Sequence, residues 1–218
     1  MINLQRHALV PAAVVFLTCL GHAQGQPPRT SAQIWNENYE ERARYRVVYE
    51  PNGFLASVAE KRKPGAVLDI AMGQGRNALM LADRGWEVTG FDISDVAVGM
   101  ALAQAKIRGL KLNAVVADGE KFDFGVDRWD MVVSVYTGIS RFDDVLRSLK
   151  PDGIWVVEAF HRDSFGGGFQ SNELFKIFND RMTVLYYEDA VGRPDLTWIH
   201  PPKEFRFVRL VARKESPK

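Results

Sequence analysis

Three features of the 218-residue sequence predict an α/β fold built on a doubly wound, mostly parallel sheet. Short apolar runs alternate along the chain with segments of helical period. The runs are nearly continuous in Val, Ile, Leu and Met, as in strands covered on both faces. Gly73 and Gly75 follow the first run directly, so a strand, a tight turn and a helix succeed one another.

Each element has its own signal. Thr30 and Gln33 form a capping box that opens a helix through about Arg44, with Trp35 and Tyr39 on one face. Glu40, Glu41, Arg42, Arg44 and Arg46 read as a solvated, salt-bridged face. Pro51 opens a second helix whose buried stripe is Phe54, Leu55, Val58 and Ala59. Ala66–Ile70 is a strand, Asn77–Arg84 a helix stopped by Gly85, and Glu87–Asp92 a strand. Ser94 caps a helix that runs to Arg108 and stops at Gly109. Asn113–Asp118 and Trp129–Tyr136 are strands; Phe142–Leu149 is a helix ended by Pro151 and Gly153. Ile154–Phe160 is a buried strand and Ser171–Phe178 a short helix. Met182–Glu188 and Phe205–Arg213 are closing strands with no helix between them, which makes the sheet mixed. The sum is a Rossmann-like sheet of about seven strands, antiparallel at its C-terminal strand, with helices on both faces. Ligands of such sheets bind beyond the carboxyl ends of the strands. Those ends are Asp69–Ala78, Asp92–Ser94, Asp118–Lys121, Tyr136–Ser140 and Phe160–Phe169.

Composition excludes several functions. With 28 basic and 27 acidic residues there is no electrostatic case for gripping a polyanion, so no nucleic-acid partner is expected. The N-terminus has the layout of a secretory signal peptide: Arg6, the apolar run Ala8–Leu20, then Gly21-His22-Ala23 with small residues at the cleavage positions. Residues 1–23 are read as that leader and 24–30 as a flexible lead-in. Residues 31–214 form a single domain with a helical cap over 31–62. The expected location is the periplasm or the exterior, with no stable membrane span once the leader is removed. A cytoplasmic or membrane-anchored chain is the alternative if the leader is misread or uncleaved. Cys19 lies inside the leader, so the rest of the chain has no thiol and only His161 and His200. A disulfide framework, a zinc–thiolate site and a thiol nucleophile are thereby excluded, and no metal site is expected.

The sharpest chemical signal is Val67-Leu68-Asp69-Ile70-Ala71-Met72-Gly73-Gln74-Gly75-Arg76-Asn77-Ala78. Asp92 ends the next strand, where a carboxylate can accept from both hydroxyls of a ribose. Gly-x-Gly-x-x-Ala also fits a dinucleotide fold. Asp69 separates the two, because an acid before the glycine turn repels a pyrophosphate and suits a cationic ligand.

These residues resemble the class I S-adenosylmethionine-dependent methyltransferases, whose first motif is an acid followed by alternating glycines. Here it reads Asp69-x-Ala71-x-Gly73-x-Gly75, with Ala71 replacing the first glycine. The Gly-x-Gly-Arg-Asn ending and the Trp35…Tyr39 opening look most like the tellurite-resistance and thiopurine methyltransferase-like branch. The resemblance implies S-adenosyl-L-methionine as cofactor. It places the methionine part on Asp69 and the Gly73–Gly75 backbone, with Ala71, Gln74 and Asn77 in the same loop. It implies Asp92 at the ribose, Ile93 on the adenine, and Asp118 with Gly119 at the adenine amino group. Tyr136 falls near the donor methyl as a cofactor contact or a catalytic residue, and Leu149–Gly153 resembles the family's turn before the fifth strand. Trp35 and Tyr39 are helix packing or an aromatic lid. His161 at the ligand edge is a candidate general base, His200 has no role, and Gly166-Gly167-Gly168 is a hinge or a plain loop.

Displacement at a sulfonium needs alignment more than acid–base help. A thiolate, selenide or metalloid oxyanion would need no base, so a small-molecule acceptor is expected. Ser134-Val135-Tyr136-Thr137-Gly138 stands where adenine- and amide-methylating relatives carry Asn/Asp-Pro-Pro-Tyr. Two alternatives stay open: a cofactor-binding relative without catalysis, and an NAD-dependent oxidoreductase, which Asp69 and the lack of a Tyr-x-x-x-Lys pair disfavour. The sequence does not specify an oligomeric state.

Overall fold

The computed structural model describes residues 28–44, 50–165, 167–195 and 204–216. The leader with Cys19, Arg46, Gly166 and His200 lie outside the described residues.

Two helices precede the sheet. Helix α1 (Ser31–Arg44) starts at the predicted capping box: Gln33 N donates to Thr30 Oγ1 at 3.2 Å and Thr30 N to Gln33 Oε1 at 2.9 Å. Helix α2 (Gly53–Glu60) is capped by Asn52, whose Oδ1 accepts from Leu55 N at 2.8 Å; Pro51 lies one residue before the cap. Leu55 and Ala59 are buried as expected.

The alternating body is β1 (Ala66–Ile70), α3 (Arg76–Asp83), β2 (Glu87–Asp92), α4 (Asp95–Arg108), β3 (Asn113–Val116), β4 (Trp129–Val135), α5 (Phe142–Ser148) and β5 (Leu149–Phe160). Then come α6 (Arg162–Phe165), α7 (Glu173–Asn179), β6 (Thr183–Gly192) and β7 (Phe205–Arg213). The sheet order is β3-β2-β1-β4-β5-β7-β6, with β7 antiparallel to both of its neighbours and the other pairs parallel. The fold is therefore the predicted Rossmann-like one.

Strand alternation builds two cores. Val67, Met131, Val133, Ile154 and Val156 face α2, α3 and α4. Leu68, Val132, Trp155 and Val157 face the other way, onto Val145 of α5 and Leu174 and Phe178 of α7. The winding reverses between β1 and β4, which opens a crevice at the carboxyl end of the sheet.

Several boundaries differ from the sequence reading. Strand β4 ends at Val135 because Tyr136 takes a left-handed conformation, φ +57°. Strand β5 begins at Leu149, before the predicted turn. Lys150–Gly153 is an irregularity within it, the register slipping between Trp129↔Leu149 and Met131↔Ile154. Strand β6 runs on to Gly192 because β7 offers it a long antiparallel edge. Among the described residues no helix is long and apolar enough to cross a membrane.

Candidate active site

A cavity of about 860 Å³ opens at the carboxyl ends of β1, β2, β4 and β5, with α1 along one side. Its floor is the turn from β1 to α3. Gly73 has φ +57° there, and its N–H donates to Asp92 Oδ2 at 2.8 Å. Ser94 N donates to Asp92 Oδ1 at 2.9 Å. Asp92 thus holds the glycine turn and the start of α4 at once; the Ile93 N–H donates to it as well, and the carboxylate keeps acceptor capacity for a ligand hydroxyl. Ala71 takes φ +53°, a conformation strained for a residue with a Cβ. Gly75 (φ +82°) serves packing: a Cβ there would lie 2.8 Å from Ala101 Cβ of α4. It does not line the cavity, whereas Ala71, Gly73, Gln74 and Asn77 do.

Asp69 is 2 % exposed, and its Oδ2 has no hydrogen-bond partner. Burial pushes its pKa up to about 7 and the neighbouring Asp92 adds to this; Arg76 and the Ala78 N–H pull the other way. Asp92 is raised too, chiefly by burial, against the N–H groups of Ser94 and Gly73. Two buried carboxylates side by side, one with an unpartnered oxygen, make this end of the cavity a receptor for cations and hydroxyl donors.

The far end is aromatic. Tyr136 and Phe160 stack with centroids 4.8 Å apart, Arg76 lies 5.5 Å from the Tyr136 ring, and Phe169 completes the wall. The Tyr136 hydroxyl donates to Glu158 Oε1 at 2.6 Å, and burial beside that carboxylate holds the phenol well above its ordinary pKa. Glu158 is fully buried and also accepts from Asn52 Nδ2 (2.8 Å) and Arg209 Nε (2.6 Å). Asn52 N in turn donates to Asn77 Oδ1 at 2.9 Å. A polar chain therefore runs from the glycine turn to the aromatic end. Glu158, Asn52, Arg76 and Phe160 were not singled out from sequence. The signal for Glu158 was there: it is the one acid in the apolar strand run Ile154–Phe160.

Ile93 and Gly119 line the cavity. Asp118 is not in the wall; its Oδ1 accepts from Glu120 N at 3.0 Å and closes a turn. His161 is 3 % exposed and also outside the wall, with Nε2 3.3 Å from Ser171 Oγ and Nδ1 accepting from Asp163 N. Trp35, Tyr39 and Ser31 of α1 do line it, and a Cβ on Gly73 would collide with the Tyr39 hydroxyl. Asn36 fastens α1 to the start of α4, through Ser94 Oγ and Asp95 Oδ1, each at 2.6 Å.

A family model described as a methyltransferase domain matches residues 67–153, the stretch that carries this turn, both acids and Tyr136. TehB of Haemophilus influenzae is 25% identical over 182 residues, 75% of this chain and 62% of that protein. The demethylmenaquinone methyltransferase of Thermus thermophilus is 33% identical over 112 residues, 47% of this chain and 50% of the relative. The matched segment is thus similar to a methyltransferase domain, and the chain as a whole is similar to TehB. The TehB crystal structure superposes with a TM-score of 0.63 at 20% identity, covering 83% of this chain and 67% of that one, which shows the shared fold. The [4+2]-cyclase SpnF shares it as well, with a TM-score of 0.66 at 19% identity over 86% of this chain and 97% of that one. The chain spans about half to three fifths of the length of the curated relatives it matches.

The cofactor of class I methyltransferases is S-adenosylmethionine, and the wall residues fit it. The Asp69 carboxyl in the wall suits its ammonium, and the remaining acceptor capacity of Asp92 suits a ribose hydroxyl. Ile93 and Gly119 offer an apolar and open wall beyond them.

Proposed function

We propose that this chain transfers a methyl group from S-adenosylmethionine to a small-molecule acceptor, a soft thiolate, selenide or metalloid oxyanion. The observation that carries the reading is the pairing of a buried, unsatisfied Asp69 with Asp92 beside the Gly73 turn. A pyrophosphate-bearing dinucleotide would bring anionic oxygens and no ammonium to that acidic pair.

When bound, the cofactor supplies a methyl on a sulfonium whose departure as a neutral thioether needs no general acid. The chain's residues orient and shelter. Asp69 and Asp92 hold the polar ends of the donor at fixed positions on β1 and β2. Tyr136, Phe160 and Phe169 keep water from the aromatic end. Tyr136 is kept protonated by burial and Glu158, so it orients and packs but does not act as a phenolate base at neutral pH. His161 lies outside the wall and supplies no base to the cavity in this conformation. An acceptor that arrives already anionic matches such a site. Among the described wall residues Arg76 is the one cation, and it stands at the aromatic end to meet that charge. The leader sequence supports export of the chain, by cleavage after Ala23.

Titration calorimetry with S-adenosylmethionine, S-adenosylhomocysteine and NAD tests the binding half of this proposal. Micromolar binding of the two sulfur compounds and none of NAD is expected. Methyl transfer from labelled donor to thiols, phenols and metalloid oxyanions then tests the catalytic half. Binding without transfer to any of them would favour a relative that keeps the cofactor and has lost the reaction.

A further inference from the structure

The Asp69 carboxyl sits in an unusual place for a group meant to be an anion. It is the penultimate residue of β1, at 2 % exposure, with one oxygen unpartnered. Three neighbours bear on it. Asp92 of β2 opposes its charge, Arg76 of α3 favours it, and the Ala78 N–H of α3 donates to it. Tyr39 of α1 lies over Gly73 in the following turn. Arg76 does not neutralise Asp69 by contact, since its Nη1 donates to the carbonyls of Glu50 (2.7 Å) and Asp195 (3.1 Å). An isolated buried carboxylate is costly, so the free site is stabilised by a proton on that oxygen.

We infer that Asp69 makes ligand capture proton-coupled and charge-selective: the free site holds the buried carboxyl protonated, and a ligand that brings a cation to that carboxyl displaces the proton. The inference rests on reading the cavity as the S-adenosylmethionine site. The exchange balances as protonated Asp69 plus cationic ligand giving the ion-paired complex plus one proton released to buffer. A nucleoside without the amino-acid moiety would bind the ribose and adenine walls and displace nothing.

Burial sets the Asp69 pKa near 7, so the exchange falls in an accessible range. Calorimetry of the full chain with S-adenosylhomocysteine, in buffers of different ionisation enthalpy, counts the protons. The count is expected to approach one at pH 6 and to fall toward zero at pH 8.5. Affinity is expected to rise by up to about tenfold per pH unit below 7 and to level off above it. Adenosine is expected to bind with no proton release and little pH dependence. Asp69→Asn is expected to bind S-adenosylhomocysteine more weakly, with zero proton count at every pH. Homocysteine-nucleoside binding with no proton release at pH 6 would overturn the inference. Release with adenosine, or release that persists in Asp69→Asn, would move the proton to Asp92 and overturn it too. A folded chain that binds adenosine compounds at no pH would overturn the site reading beneath it.

Discussion

Asp92 engages a backbone N–H with each of its oxygens, Gly73 on one side and Ser94 on the other. Asp92→Ala therefore removes the ribose partner and loosens the turn that carries it. Hydrogen bonds to a charged group contribute about 1.5–3 kcal/mol each. The affinity for S-adenosylhomocysteine should fall by about 100-fold or more, read by calorimetry, and an unchanged affinity would remove Asp92 from the ribose site. Asp69 governs a second prediction, on the free protein. Its folded pKa is raised to about 7 from an ordinary 3.8, so its stabilising share is complete below pH 4 and is lost as pH rises through 7. The slope is at most about 1.4 kcal/mol per pH unit. Asp92 is shifted the same way. Asp130, Glu173 and Asp189, whose pKa values are lowered, lose their stabilisation only in more acidic solution. The thermal midpoint of the ligand-free chain should thus drop between pH 5 and 8, and Asp69→Asn should flatten the profile. A midpoint that climbs over that interval would contradict the buried, unpaired state of Asp69.

At the scale of elements, the two glycines of the turn do different work. Gly75→Ala drives a Cβ against Ala101 of α4 while φ stays at +82°. Neither neighbour is a flexible side-chain end, so the cost should be about 1–3 kcal/mol in a denaturant titration. Gly73→Ala instead meets the end of the Tyr39 side chain, which can move. The expected effect is a displaced α1, seen as faster amide exchange over residues 31–44. Tyr39→Ala in the same chain should remove most of the steric part of that effect, since the two residues are in contact. Equal exchange in Gly73→Ala and the parent would show that α1 does not rest on the turn. The capping box that starts α1 and the glycine stop of α4 were legible because such signals are local. The true start of α2 was not, because Asn52 is selected by Glu158, Asp195 and Asn77, which are distant in sequence.

For the whole molecule, Glu158 joins β5 to Asn52 before α2, to Tyr136 after β4 and to Arg209 on β7. Glu158→Ala would leave Arg209 short of a partner and Asn52 short of an acceptor. The expected loss is about 3–5 kcal/mol, measured by chemical denaturation, with Glu158→Gln retaining part of it. A further expectation concerns the leader: a chain beginning at Gln24 should fold and bind S-adenosylhomocysteine as the full chain does. Insoluble or non-binding protein would make residues 1–23 part of the folded unit. The sequence by itself determined the order and type of the strands, the two-sided core and the acid–glycine turn, because periodicity, caps and turn residues act over a few positions. It also placed Asp69 and Asp92 near the carboxyl ends of two strands, and the structure made those strands parallel neighbours. Only the tertiary structure decided which candidates share the cavity. It turned Asp118 to a local turn and His161 to Ser171, placed Trp35 and Tyr39 in the wall, and buried Glu158 behind Tyr136. Those outcomes depend on side-chain direction and on partners far apart in the chain, which pattern and spacing do not encode.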